Sequence, residues 1–467
     1  MWPFVKHVSI RADGVKNRVL LFFPAVDEPL SPKRKYEFPL SLVALVPNLL
    51  KKNFRVHLFD ERVQFNCRHQ IEALLPDTIC FGVSSMTGFQ ILRAIEMVKF
   101  VRNRSSVPIV WGGWHVSLLP DQSVRSEHVD YLVRGQGEET FSELTEVLAN
   151  GALAELKNVQ GITYKKDGEV VETPSRPLIQ INELEPMPYS FLDIRKYRKY
   201  YSYVSSIGCP MHCGFCADSV VYHGKWSALE PKRVVEEIEY LVNRRTRNQA
   251  IYFIDSNFFV NGRRVEEICE LILKKGMKFR WLALGHAKQM ARYDDHFFEL
   301  LHRTGCYRVV IGAESGSQRV LDYIRKEATV EDNYTFVRKA AQAKIQPDLS
   351  MMCGFPTAPE EDLRATITFM NEAKRICPTT KLKLFFFTPY PGSPLYEQAL
   401  KHGYKPPNSL EEWSSYMLHK LNMPYLDQDY EKLVHFFVDV YYKKYAGKSK
   451  LDWDKFLRMA REAKGFG

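Results

Sequence analysis

Cys209, Cys213 and Cys216 fall within eight residues of a 467-residue chain that has only nine cysteines. They follow an apolar, strand-like run that ends at Ile207, so the segment from Ser205 to Cys216 reads as a loop able to wrap one inorganic centre. Iron–sulfur clusters are held by Cys thiolates, usually one per iron, so three thiolates on a four-iron, four-sulfur (4Fe-4S) cluster leave one iron open to a non-protein ligand. An open iron is a site for chemistry. The competing reading is a structural zinc site completed by His212 or a distant fourth ligand. Zinc sites favour paired Cys-x2-4-Cys units with four protein ligands, whereas the other six cysteines here are scattered singly.

Composition bounds the setting. A hydrophobic content of 45% with 13% aromatics is enough for packed cores, and the length predicts two or three domains. The sequence has no run of about eighteen uncharged apolar residues, and Met1-Trp2-Pro3-Phe4 does not open a charged-then-apolar signal, so a cytoplasmic protein without a membrane span is expected. Free thiols that bind a cluster suit a reducing compartment. The net charge of +10 raises the question of nucleic acid. Its lysines and arginines are spread over many amphipathic segments, with short runs such as Lys33-Arg34-Lys35 and Arg244-Arg245. That pattern reads as a solvated basic face, or as a cleft for phosphorylated or carboxylated ligands, and argues against a nucleic-acid partner.

The elements that must position the cysteines fall into two series. In the first, short apolar runs at 18–23, 54–59, 78–84, 108–111 and 131–133 alternate with helical patterns at 39–52, 88–102 and 139–149. Such alternation predicts an α/β unit with a doubly wound, Rossmann-like parallel sheet whose ligands lie beyond the carboxyl ends of the strands. Glycines sit at those ends, in Gly112-Gly113-Trp114-His115 and Arg134-Gly135-Gln136-Gly137-Glu138, where they permit close approach by a bulky ligand. No G-x-G-x-x-G opens the first helix, which counts against a dinucleotide. Lys166-Asp167-Gly168 reads as a hairpin turn, and Pro174, Pro177, Pro186 and Pro188 mark 161–200 as a connector after a first domain at 1–160. A second β/α series over 201–400 has strands expected at 203–207, 250–254, 278–284, 308–311, 346–352 and 382–387. Six such units would form a (β/α)6 partial TIM barrel with its site at the carboxyl ends. The region 401–467 is rich in aromatics, among them Trp413, Tyr430, Phe437, Tyr441 and Trp453, and reads as helical.

The spacing Cys-x3-Cys-x2-Cys, with Phe215 just before the last cysteine, resembles the signature of the radical S-adenosylmethionine (radical SAM) enzymes. The resemblance implies a 4Fe-4S cluster on Cys209, Cys213 and Cys216 whose open iron chelates SAM, with one electron cleaving SAM to methionine and a 5′-deoxyadenosyl radical. It places Asp255, Ser256 and Asn257 at the SAM amino group. Gly312-Ala313-Glu314-Ser315-Gly316 resembles the SAM-contacting Gly-x-Glu-Ser-Gly segment, with Glu314 and Ser315 as contacts. A glutamate at an inward strand end is costly to bury unpaired, so a cofactor partner is expected for it. Cys353-Gly354-Phe355-Pro356 is similar to the segment by the adenine, although Ala358 and Pro359 depart from the pattern. Thr388-Pro389-Tyr390-Pro391-Gly392 resembles the turn after the sixth strand. Where relatives often have Trp-x4-Arg, this chain has Trp281 followed by His286, a group that ordinarily titrates near neutrality. His286 and Tyr390 are the candidate catalytic residues; for His286 a hydrogen-bonding filler is the competing role.

Ahead of the cysteines, Gly82-Val83-Ser84-Ser85-Met86-Thr87, Gly112-Gly113-Trp114-His115 and Gly135-Gln136-Gly137-Glu138 resemble the cobalamin-binding domain of cobalamin-dependent radical SAM enzymes, so the resemblance spans nearly the whole chain. It implies Ser84, Ser85 and Thr87 under the corrin, with Gly112, Gly113 and His115 along the nucleotide tail and Gly135, Gly137 and Glu138 beside them. For His115, a loop histidine capping the next helix is the competing role. The loop Ala25-Val26-Asp27-Glu28-Pro29-Leu30 has no histidine where methionine-synthase-type domains carry Asp-x-His-x-x-Gly, which implies base-off cobalamin with no imidazole on cobalt. The expected output is methylation of an unactivated carbon or phosphorus centre of a small-molecule substrate, with electrons from a reductant such as flavodoxin or ferredoxin. Oxidative cyclisation or ring rearrangement of a natural product or tetrapyrrole is the second expectation. A non-catalytic metal- or RNA-binding module is the third. In the family the C-terminal region closes the barrel mouth and shapes substrate choice.

Overall fold

In the computed structural model, residues 17–26, 36–197, 200–244, 249–416 and 423–463 are described. The chain divides into two compact units, Met1–Lys199 with Pro406–Met417, and Tyr200–Lys405 with Leu418–Gly467.

In the first unit the short apolar runs form β1 (Arg18–Phe23), β2 (Arg55–Asp60), β3 (Thr78–Ser84), β4 (Ile109–Gly112) and β5 (Tyr131–Val133). All five pair in parallel. β6 (Ile162–Lys166) then adds antiparallel to β5, and β7 (Glu169–Glu172) antiparallel to β6, giving the order β2-β1-β3-β4-β5-β6-β7. The hairpin turn at Lys166-Asp167-Gly168 thus belongs to the sheet, and residues 162–172 are two of its strands and not a connector. Both faces are covered, Phe22, Phe81 and Trp111 on one and Leu21, Val110 and Phe141 on the other, as a mostly parallel sheet requires. The helix expected over 39–52 is two, Leu40–Val43 and Val46–Lys51, because Pro47 is tolerated in a first turn but not in a continuing one. Leu410 and Trp413 are fully buried in this unit's core, and Trp413 Nε1 donates to Gln122 Oε1 at 2.7 Å. The C-terminal region is therefore split, with Pro406–Met417 joining the first unit.

In the second unit, β8 (Tyr200–Tyr203), β11 (Ala250–Phe253), β12 (Trp281–His286), β13 (Cys306–Glu314), β14 (Gln346–Cys353) and β15 (Lys381–Phe386) form a six-stranded parallel sheet in the order β15-β14-β13-β12-β11-β8. The strand expected over 203–207 is interrupted: β8 ends at Tyr203, and β9 (Ser206–Gly208) leaves the sheet to pair antiparallel with β10 (Trp226–Ala228). One sheet face is packed on helices. Tyr203, for example, donates its hydroxyl to Glu237 on helix Pro231–Val242 at 3.0 Å, and Ala283, Val309 and Leu349 on that face are fully buried. In the C-terminal part, Phe436, Phe437, Tyr441 and Phe456 pack on one another as core. No helix among the described residues is long and apolar enough to cross a membrane.

Candidate functional site

The cysteine loop is gripped from several sides. Gly208, at φ +72°, ends β9 where a Cβ would lie 2.1 Å from the Lys225 carbonyl oxygen, so only glycine fits. Gly214 N donates to Ile324 O at 2.8 Å and its carbonyl accepts from Leu395 N at 2.9 Å. Cys216 immediately precedes helix Ala217–Tyr222. Upstream, Asp255 accepts from Ser205 N, Ser205 Oγ and Ser206 Oγ at 2.6 to 2.8 Å, while Arg264 donates to the carbonyls of Ser205 and Leu229 at 2.9 Å.

Asp255 is buried and accepts three bonds from the chain that leads into the cysteine loop, so it braces that loop. In Asn257, Nδ2 donates to Gln289 Oε1 at 2.5 Å and Oδ1 accepts from Phe259 N at 3.2 Å. Ser256 is exposed and donates to Asp218 Oδ1 at 2.9 Å.

Burial pushes all three cysteine thiols above the ordinary value, Cys216 to about 11 with Asp218 adding to it, while Lys326 pulls Cys209 and Cys213 back. Each thiol lies within the electrostatic reach of another of the three. Among the described residues, however, no three His, Cys, Asp or Glu side chains converge on a point one metal ion could occupy. Ligation by iron would replace protons that burial otherwise keeps on sulfur.

Beside the loop, Glu314 at the end of β13 adopts φ +61°, a strained conformation for a non-glycine residue. Its Oε1 accepts from Lys326 Nζ at 2.9 Å, and both side chains are under a tenth exposed. A Cβ on Gly312 would lie 2.0 Å from Glu314 Oε1, so glycine there leaves the pair room in its present position. Burial works against the charge of Lys326, yet Glu314 and the nearby thiols hold its pKa above the ordinary lysine value. Its ammonium lies 5.8 Å from the Phe215 ring centroid. Glu314 is thus not unpaired until a cofactor arrives. Lys326, which sequence reasoning missed, is its partner.

Lys326 also anchors His286, whose Nε2 donates to the Lys326 carbonyl at 3.0 Å. Nδ1 is left as a buried acceptor without a partner. Burial, then Lys326, push the imidazole down to about 3, so His286 is neutral and does not titrate near neutrality as expected. Ser315 shares a bond with Thr366 Oγ1 at 2.9 Å and accepts from Ser317 N. Gly354, at φ +87°, gives its carbonyl to the Tyr425 hydroxyl at 2.7 Å. The Tyr390 hydroxyl is raised by burial and then by Cys216, and its carbonyl caps the Pro389–Leu395 turn by accepting from Ser393 N and Oγ. A cleft of about 540 Å³ behind the β9–β10 hairpin, lined by Trp226, Asn261, Arg263 and Tyr293 among others, holds none of these residues.

In the first unit the strand ends are built from backbone and hydroxyls. Ser84 Oγ pairs with Ser41 Oγ at 3.0 Å, and Ser85 N donates to Gly112 O at 3.0 Å. Gly113, at φ +101°, brings the chain so close that a Cβ would lie 2.4 Å from Ser85 O. Thr87 Oγ1 bonds His115 Nδ1 at 3.0 Å, and His115 Nε2 is buried without a partner. Burial alone pushes His115 down to about 4, and its ring meets Trp413 edge-on at 5.6 Å. Gly135, at φ +67°, has open space where a Cβ would be, while Gly137 packs on Leu45. Burial pushes Glu138 up to about 7 against backbone hydrogen bonds from its own N–H and that of Gly137. An orphaned imidazole nitrogen and an open glycine cradle suit a bulky ligand bearing amide groups, as cobalamin does. The histidine-free loop over 27–30 lies outside the described residues.

Residues 36–145 match the B12 binding domain, and residues 203–370 match the Radical SAM superfamily. An uncharacterized methyltransferase of Pyrococcus horikoshii is 29% identical over 394 residues, 82% of this chain and 83% of that protein. The anaerobic magnesium-protoporphyrin IX monomethyl ester cyclase of Synechocystis is 26% identical over 66% of this chain and 62% of its own length. The fold is shared with the cobalamin-dependent S-adenosylmethionine radical enzyme OxsB with aqua-cobalamin bound, at a TM-score of 0.73 and 19% identity, over 91% of this chain and 67% of that one. With a B12 binding domain ahead of a three-cysteine radical SAM domain, the chain belongs to the cobalamin-dependent radical SAM enzymes, which work with a 4Fe-4S cluster, SAM and cobalamin.

Proposed function

We propose that the chain is a methyltransferase that places a methyl group on an unactivated carbon or phosphorus centre of a small molecule. The observation that carries this reading is the similarity to the Pyrococcus methyltransferase over more than four-fifths of both chains. When bound, cluster and SAM supply the radical that removes a hydrogen from such a centre, and cobalamin supplies the methyl group. The protein's part is positional. Cys209, Cys213 and Cys216 would hold the cluster, with the Asp255–Arg264 brace fixing the chain before them. The Glu314–Lys326 pair offers a zwitterionic SAM one charge of each sign, with Phe215, Ser315 and Gly354 nearby. Ser84, Ser85, Thr87, Gly112, Gly113, His115, Gly135, Gly137 and Glu138 would receive the corrin and its tail. Tyr390 and the neutral His286 would serve the substrate as hydrogen-bonding groups. We place the protein in the cytoplasm with a small reductant protein of the flavodoxin or ferredoxin kind, because the cluster takes one electron at a time.

Reconstituted enzyme with substrate is expected to consume two SAM per turnover, yielding one S-adenosylhomocysteine and one 5′-deoxyadenosine. Label from methyl-deuterated SAM should appear in the product. The match to the Synechocystis cyclase supports a second reading, oxidative cyclisation. That outcome would give deoxyadenosine without homocysteine and an unlabelled product, and would displace methylation.

A further inference from the structure

The parallel register of the second unit's sheet sets side chains in rows across the face opposite the helices. His286 on β12 lines up with Gly312 on β13, Ser350 on β14 and Lys383 on β15. One row earlier, Val310, Asp348 and Lys381 lie level with one another. Lys383 therefore occupies the same level as His286 and as the glycine that accommodates the Glu314–Lys326 pair, two strands away from the latter. The alternating residues of the same strands, Ile311, Leu349 and Met351, are fully buried against the helices. Lys383, by contrast, has 48% of its side chain exposed. At its β15 edge this face is open to solvent, while His286 and Asp348 farther in are buried.

The charges on this face do not balance. Asp348, 3% exposed, stands 3.7 Å from Arg308 Nη1 and 3.2 Å from Lys383 Nζ. One carboxylate thus faces Arg308, Lys383 and, in its own row, the exposed Lys381. The Glu314–Lys326 pair is neutral by itself and offsets nothing here. Asp348 holds the Lys383 ammonium at 3.2 Å while about half of the lysine side chain stays exposed, an arrangement that leaves room for a second anion.

We propose that the substrate carries a carboxylate or phosphate group that binds Lys383, with Lys381 adding to the field at the open edge of the sheet. The proposal rests on the reading of this sheet face as part of the reaction site and names the class of molecule that binds there: an anion whose reacting centre extends across the face toward His286.

Three probes separate the possibilities when titrated calorimetrically into the SAM-loaded holoenzyme: 4-phenylbutyrate, phenyl phosphate and the neutral 4-phenylbutanamide. The wild-type protein is expected to bind at least one anion about tenfold more tightly than the amide. The preference should shrink as salt is raised, and which anion wins identifies the group. Lys383→Met should bring anion and amide within about twofold of each other, and Lys383→Arg should restore the preference. A wild-type protein without a preference, binding none of the three included, overturns the proposal, as does a preference that survives in Lys383→Met. Iron content and SAM cleavage by the wild-type protein test the underlying reading separately, so its failure is not mistaken for failure of the anion site.

Discussion

The two units solve the problem of receiving a cofactor in opposite ways. In the second, thiols and a buried ion pair are held with the help of side chains: Asp255 braces the cysteine loop, and Lys326 meets Glu314. In the first, the strand ends carry hydroxyls, a neutral histidine and glycines, and the shape is set by backbone approach, as where Gly113 lies against Ser85. A small charged cofactor is gripped by matched charge, which is strong at short range in a low dielectric. A large corrin is gripped by an open cradle. The second unit should therefore fail when charge or ligand is changed, the first when volume is added.

The largest effect is expected at the cysteines. Replacing Cys209, Cys213 or Cys216 with alanine should abolish 5′-deoxyadenosine formation and iron–sulfur absorption while circular dichroism stays that of the folded chain. A triple variant that still cleaves SAM would remove the basis of the comparison. Next comes Lys326→Met, which leaves the Glu314 carboxylate buried and alone. Breaking a buried pair in this way should cost about 3–5 kcal/mol in denaturant unfolding, and Glu314→Gln in the same chain should recover much of it. If the double variant is no more stable than the single, Glu314 is not held by Lys326. A smaller effect is expected from Gly113→Ala, which adds a methyl at φ +101° against Ser85 O. It should lose about 1–3 kcal/mol of stability and weaken cobalamin binding without altering cluster content.

Much of this contrast was legible in the sequence, and the reasons for the gaps are physical. Glycines at strand ends and cysteines at fixed spacing are local features whose chemistry survives without knowledge of the fold. Lys326 is not local: in Arg325-Lys326-Glu327 it reads as one charge in an exposed run, and only the fold buries it beside Glu314 while its two neighbours stay in solvent. Asp255 carries a role that its position did not announce. Its place after a strand suggested a ligand contact, but that it also takes three donors from Ser205 and Ser206, reached by the break between β8 and β9, depends on the fold. The hairpin over 162–172 was read as a turn yet not as sheet, because nothing in its composition says that β5 leaves an edge for it to extend. Leu410 and Trp413 read as one more stretch of an aromatic tail, and their assignment to the first unit depends on tertiary contacts such as Trp413 with Gln122.

The two buried histidines allow the finest test. His115 is pushed down to about 4 by burial alone, His286 to about 3 by burial and then Lys326. Both have folded values below the ordinary 6.5, so below that pH the unfolded chain takes up protons that the folded chain refuses. Stability therefore rises with pH across the window from each folded value to 6.5, and is lost as pH falls through it. Each histidine contributes a slope of about 1.4 kcal/mol per pH unit there. His115→Gln and His286→Gln should flatten the acid limb equally between pH 6.5 and about 4, and only His286→Gln should flatten it further down to about 3. Lys326→Met should separate them. Removing the ammonium takes away the second cause at His286, so its titration, followed by NMR of isotopically labelled histidine rings, should move up toward the ordinary value while that of His115 stays in place. Equal movement of both histidines would mean that the variant loosens the fold generally, and that electrostatic control is not confined to the second unit.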